Sequence, residues 1–281
     1  MKLAIVVLTY NRADALLAVL RGLAPQCRDG DTIVIADDGS DPTHVDAFKR
    51  GLPRFACPVR HVWHPDVGFT AARARNLGAM RADSDYIVFL DGDCVPNAQF
   101  VSQHRFLAER GCFVNGSRAL LSERLSAWAL AREIDLPRLR AADWLRHWLT
   151  GDVNKLTQLV RWPDAPLRHQ ARFRWKGIRS CNFGVWYGDL QAANGFDESF
   201  AGWGHEDADL VLRLHNHGGI RKNGFCATEV FHLWHHEHSR ASEMRNRQRV
   251  LQRLETGATR SQVGMAETGN QSTVLVTELN D

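Results

Sequence analysis

Four apolar runs divide the first ninety residues, at positions 3–8, 31–39, 59–64 and 86–90. The first and last, LAIVVL and YIVFL, contain no polar side chain and are rich in β-branched and aromatic residues, as in strands covered on both faces. Between the runs, apolar residues recur at helical spacing over 13–23, 43–50 and 70–82. Repeated β-α units of this kind predict an α/β fold, a parallel sheet with helices on both faces joined by right-handed crossovers. From residue 118 the pattern changes to two or three helical segments in which Trp128, Trp144, Trp148 and Trp162 stand among arginines. Trp and Leu at helical spacing usually pack into a core, while a basic aromatic surface also suits anionic lipid headgroups. A strand-like CATEVF occupies 226–231, a polar, Arg-rich helix is expected to about residue 256, and the Gly/Ser/Thr/Gln-rich remainder is expected to be poorly ordered.

Composition narrows the class. The 281 residues suffice for one large α/β domain, and a net charge of +3 is too mild to imply nucleic acid. That charge is unevenly spread: residues 118–180 hold thirteen basic and six acidic side chains, a local excess of +7. The six cysteines show neither a CxxC pair nor zinc-ligand spacing and read as small hydrophobes in a reducing compartment, without disulfides. No stretch approaches the ~18 apolar residues of a membrane span, and the opening MKLAIVVLTYNR reads as strand one rather than a leader. The expected location is cytoplasmic, with peripheral contact at the inner face of the membrane through the basic segment.

Candidate chemistry collects at one edge. TYNR (9–12), ADDGS (36–40) and DGD (91–93) all end predicted strands, and ligands of open α/β sheets bind at the carboxyl edge. Asp91 and Asp93, two apart in extended chain, point the same way and converge on a site for a cation, with Gly92 permitting close approach; a plain turn after a strand is the alternative. Arg73 and Arg75 fall near the start of the 70–82 helix, where guanidinium and helix terminus both favour a diphosphate. No GxGxxG follows strand one, which disfavours a dinucleotide-dependent dehydrogenase.

In this order, TYNR, DDGS, GFTAARARNLG and DGD resemble the large inverting glycosyltransferase family 2, over roughly residues 1–115. The segment GWGHEDADL, 202–210, is similar to the GWG-x-ED-x-D stretch of β-1,4-galactosyltransferases and bacterial chondroitin-type polymerases. The resemblance implies the GT-A nucleotide-diphospho-sugar transferase fold, with a mainly parallel central sheet flanked by helices. One domain would run over 1–238: a nucleotide-sugar half (1–115), a helical basic and aromatic insertion (116–180) and an acceptor and catalytic half (181–238). Residues 239–281 would form the helix and tail.

The same resemblance implies the site. Thr9, Tyr10, Arg12, Asp37, Asp38 and Arg73 would line the nucleotide pocket together with Asp91 and Asp93. Asp93 would ligate Mn2+ or Mg2+, and Asp91 would contact ribose or metal. Asp207 is the implied base; Glu206 would hydrogen-bond the acceptor sugar and Trp203 would stack on its ring. A helix starting near Glu206 would aim Glu206, Asp207 and Asp209 at the cleft, its dipole favouring the carboxylates. SCNFGVWYGDL, 180–190, would set Asn182 and Phe183 beside the donor sugar. In FHLWHHEHS, 231–239, His232 best fits the histidine that completes the metal shell, with His235 the alternative among His232, His235, His236 and His238.

The expected activity is metal-dependent inverting transfer of a hexose or N-acetylhexosamine, with a UDP-sugar as the expected donor, to a glycan or lipid-linked glycan of bacterial surface polysaccharide. The rivals are a metal-dependent sugar nucleotidyltransferase and a non-catalytic carbohydrate-binding subunit that kept the fold.

Overall fold

The computed structural model describes all residues except 201, 203, 237–241, 269–272 and 281. Twelve strands are described: β1 Leu3–Thr9, β2 Thr32–Asp37, β3 Val59–Trp63, β4 Tyr86–Asp91, β5 Cys94–Pro96, β6 Cys112–Asn115, β7 Ser117–Leu120, β8 His169–Gln170, β9 Asn182–Trp186, β10 Ile220–Asn223, β11 Glu229–His232 and β12 Leu275–Glu278. The α-helices are α1 Ala13–Leu23, α2 Pro42–Arg50, α3 Ala71–Met80, α4 Phe100–Leu107, α5 Glu123–Ala131, α6 Ala141–Leu149, α7 Tyr187–Ala192, α8 Glu206–Asn216, α9 Glu243–Thr256 and α10 Met265–Thr268. The β-α alternation read from residues 3–91 is therefore present, element for element.

Nine strands form one sheet in the order β12-β3-β2-β1-β4-β9-β6-β10-β8. Strands β3, β2, β1 and β4 run parallel. Beyond β4 the sheet is mixed, because β9 lies antiparallel to both β4 and β6. The expected mainly parallel sheet is present, since β6 and β10 are parallel to each other and run in the direction of β1 to β4; β9 enters after the long 92–181 excursion and returns in the opposite direction. Successive side chains of β1 feed different layers. Leu3, Ile5 and Val7 pack on one face with α1 residues Leu16 and Leu20, whereas Ala4 and Val6 pack on the other with Leu77 of α3 and Leu210 of α8.

A second sheet of β5, β11 and β7 sits at the carboxyl edge. Its register sets His232 opposite Cys94, and Leu233 N–H donates to the Asp93 carbonyl at 2.9 Å. This pairing brings a histidine 139 positions downstream to the DGD turn.

The tail differs from the expectation. Ser261 and Met265 donate backbone N–H groups to the carbonyls of Ala193 and Asn194. Strand β12 adds antiparallel to the edge strand β3, and Asn280 Oδ1 accepts from Val59 N–H at 2.7 Å. A Gly/Ser/Thr/Gln composition offers little apolar surface, but main-chain hydrogen bonds at a sheet edge need none.

Asp209 also differs. Two residues past Asp207 on α8, it is fully buried and pairs with Arg213 at 2.8 Å and with Arg253 of α9. Arg213 further donates to the carbonyls of Ala193 and Gly195. Asp209 therefore fastens α8 to α9 and does not face the cleft. Replacing it by Ala removes the carboxylate partner of the fully buried Arg213 and one of the two carboxylates held by Arg253, which keeps Asp197, so Asp209→Ala is expected to cost about 3–5 kcal/mol. Thermal unfolding should show a midpoint lower by about 6–20 °C; an unchanged midpoint would contradict the structural role.

Candidate active site

Two clusters of polar groups meet where β4 ends. Gly92 makes the turn possible: a Cβ there would lie 2.7 Å from the Leu8 carbonyl oxygen, the same oxygen that accepts Gly92 N–H at 2.7 Å. The Asp91 and Asp93 carboxylates leave this turn toward different partners.

Asp91 accepts from Arg75 Nη2 at 2.9 Å, and Nη1 of the same guanidinium reaches Glu206 Oε1 at 3.3 Å. Arg75 is buried, with its charge 5.3 Å from the Phe196 ring centre. Burial alone would weaken its hold on a proton, but Asp91 and Glu206 outweigh that and raise its pKa. One cation thereby ties Asp91, at the end of β4, to the first acid of α8.

Helix α8 opens after Gly204, at φ +107°, and His205, a non-glycine residue at φ +73°. The sharp left-handed entry sets Glu206 and Asp207 in the first turn. The Asp207 carboxyl is set deep in protein yet keeps an accessible face. Burial first, and the charge of Glu206 second, push its pKa up to about 7, against the Ala208 N–H, Arg75 and the Ser180 backbone. A carboxylate with that proton affinity can accept a hydroxyl proton near neutral pH.

Asp93 faces two imidazoles. His232 Nε2 lies 3.7 Å from Oδ1 and His235 Nε2 lies 3.4 Å from Oδ2, with the two rings 5.2 Å apart. Burial lowers the His232 pKa despite the pull of Asp93, which keeps a neutral nitrogen lone pair on offer. Ligand atoms of Asp93, Cys94 and His232 all fall within 4.8 Å of one another. A carboxylate with two imidazoles is a donor set that suits a divalent cation of the manganese type. Both His232 and His235 converge on Asp93, so neither excludes the other. His238 lies outside the described residues.

Other expected residues take different places. Asp37 is fully buried; it accepts Ser40 N–H at 2.8 Å and lies 2.8 Å from His61 Nε2, so it shapes the turn instead of facing a nucleotide. Asp38 accepts Thr70 N–H at 3.0 Å and the Thr70 hydroxyl at 2.5 Å, fixing the start of α3. Thr9 is buried at the end of β1, Tyr10 is exposed and donates to Asp66 at 2.9 Å, and Arg12 pairs with Asp14 at 3.1 Å on the α1 surface. Arg73 is half-buried on α3, its charge acting on Glu198.

Asn182 corrects the sequence reading. Its amide is wholly buried, donates to the Ser117 and Thr228 carbonyls and meets His104 Nε2 at 2.9 Å, leaving nothing for a sugar. Phe183 is likewise a core residue, 5.7 Å from the Phe113 ring. Trp203 lies outside the described residues. No sequence signal pointed to Arg118 of β7, whose guanidinium sits 3.8 Å from Cys181 Sγ and whose charge acts on Asp91 and His232.

A solved structure of GalNAc-T7 with UDP, GalNAc and Mn2+ superposes at a TM-score of 0.56, covering 90% of this chain and 48% of that one at 14% identity. The fold is GT-A, and the protein is a glycosyltransferase. Within that class the chain belongs to glycosyl transferase family 2, which residues 4–167 match, while residues 167–238 match the N-terminal domain of galactosyltransferase. Among curated relatives, the validoxylamine A glucosyltransferase of Streptomyces hygroscopicus subsp. jinggangensis (strain 5008) is 29% identical over 77% of this chain and 52% of its own length. The chondroitin synthase of Escherichia coli is 28% identical over 77% of this chain and 32% of its own. The chain thus matches about half or less of the length of these relatives.

Proposed function

We propose that the protein catalyses inverting, divalent-metal-dependent transfer of a hexose or N-acetylhexosamine from a nucleotide-diphosphate sugar, with UDP as the nucleotide, to a hydroxyl of a glycan or lipid-linked glycan acceptor. The observation that carries this reading is the convergence of Asp93, His232 and His235 beside the Asp91–Arg75–Glu206 chain, with Asp207 raised to about 7 next to it.

In this mechanism Asp93, His232 and His235 would hold a divalent cation, which would supply positive charge for a departing diphosphate. Arg75 keeps Asp91 and Glu206 in fixed relation, so that the donor-side and acceptor-side carboxylates share one frame. Glu206 accepts a hydrogen bond from the acceptor sugar. Asp207 takes the proton of the attacking hydroxyl as its oxygen bonds to the anomeric carbon from the face opposite the diphosphate. The bond from that carbon to the phosphate oxygen breaks, its electron pair leaves with the nucleotide diphosphate, and the configuration inverts. Manufacture of a bacterial surface polysaccharide is the role supported by the chondroitin synthase likeness.

Incubation of the protein with a panel of nucleotide sugars and Mn2+ or Mg2+ tests the reading. Release of a nucleoside diphosphate from one or a few sugars, abolished by a chelator, is expected. Pyrophosphate as the product would mean nucleotidyl transfer instead, and no turnover of any sugar with any acceptor would leave a binding subunit.

A further inference from the structure

Helix α6 is anchored through one side and bare on another. Trp144 is buried and stacks on Phe231 of β11 with ring centres 4.5 Å apart and planes at 8°, and His147 reaches Asp152 at 3.2 Å. The outward side carries Leu145, Trp148 and Leu149, which are 47%, 45% and 71% exposed. At 3.6 residues per turn these three and Ala141 fall within an arc of about 100°. A helix whose apolar stripe points away from the core, when a core-facing stripe is the rule, has a partner outside the fold.

The charges around the stripe identify that partner. Arg138 and Arg140 precede the helix with side chains 78% and 83% exposed, and Arg146 is exposed on its flank. Between 138 and 149 the only acid is Asp143, giving a net +2. Exposed ion pairs such as Arg140–Asp143 and Arg138–Asp135 hold little energy and yield readily to another anion. A second run, Leu159, Val160, Arg161 and Trp162, exposes more apolar and basic surface in the same connection. Leucines between a tryptophan and arginines suit the boundary of an anionic bilayer, where the apolar stripe enters the acyl region, the indole sits among headgroups and the guanidinium groups meet phosphates.

We infer that α6 is a membrane-docking helix that seats the protein on an anionic lipid surface. Trp144 rests on Phe231, the residue before His232, so docking through α6 holds the small sheet of the catalytic cleft close to that surface. The inference concerns binding and stands whether or not the acceptor is lipid-linked.

Sedimentation of the full chain with phosphatidylcholine vesicles, and with vesicles also containing phosphatidylglycerol, tests it. Binding to the anionic vesicles alone, weakened at high salt, is expected. The triple variant Arg138→Gln/Arg140→Gln/Arg146→Gln should lose about fivefold in partition per arginine. Leu145→Gln/Leu149→Gln should lose roughly tenfold or more while keeping the wild-type circular dichroism and donor hydrolysis. The single variant Leu149→Gln, at the most exposed position, gives the same test should the double variant fold poorly. No binding to anionic vesicles overturns the inference, as does binding that these variants leave unchanged. A wild-type dimer converted to monomer by the leucine variants would instead make a second copy of the chain the occupant, and also overturns it.

Discussion

Asp207→Asn is expected to lower turnover by ~10²–10⁴, the usual worth of a positioned general base, while leaving donor affinity close to wild type. The amide keeps the shape of the side chain and can still accept the Ala208 N–H, which lies 2.7 Å from Asp207 Oδ1, but it cannot take a proton from the acceptor. Donor affinity should survive because Asp93, His232, His235 and Asp91 are untouched. Steady-state kinetics with donor titration separates the two: loss of donor binding would make Asp207 a structural or metal residue, and near-wild-type transfer would remove it from the chemistry. The pH dependence is a companion result. With the carboxyl raised to about 7 in the folded protein, the base is ionised above that value, so kcat/KM should fall as pH drops through about 7. The sign for stability is opposite. The folded state binds the Asp207 proton more tightly than the unfolded chain, whose carboxyl titrates near 3.8, so this residue's contribution to stability declines as pH rises from about 4 to 7. Asp207→Asn should remove the acid limb of the rate profile and flatten that decline.

Asp93→Ala is expected to weaken metal-dependent binding of the nucleotide strongly. Asp93 is the carboxylate on which both His232 and His235 converge, and its loss leaves two imidazoles without the hard oxygen that completes a divalent site. Calorimetric titration of wild type with UDP should show affinity that depends on Mn2+, and the variant should show a loss of ~10–100-fold or more. Equal affinity in wild type and variant would take Asp93 out of the metal shell. The substitution lies in a turn and leaves Gly92, the Leu8 contact and the β5–β11 pairing intact, so folding should be little changed.

Much of this was legible in the chain before any fold was known. Apolar runs without polar interruption specify strands buried on both faces, and strands β1 to β4 form where those runs stand, since no other arrangement hides so many β-branched side chains. The Asp-Gly-Asp turn and the Glu-Asp start of α8 were likewise visible, because carboxylates at a strand end or helix start follow from local geometry. What the sequence could not decide is which of two neighbouring groups faces the cleft. Arg73 and Arg75 are separated by about 200° around a helix, and so are Asp207 and Asp209. Only the packing of α3 and α8 on the sheet brings Arg75 to Asp91 and Glu206 and sends Asp209 into the Arg213–Arg253 lock. On β9 and β2, too, long-range contacts claim the groups: Asn182 is consumed by Ser117, Thr228 and His104, and Asp37 by Ser40 and His61. The meeting of His232 and His235 with Asp93 depends on a strand register 139 positions apart, and the place of the tail on an open sheet edge. Local pattern sets which elements form and which chemistry they carry; the orientation of each functional side chain is set by what lies across the space between elements, which no stretch of sequence contains.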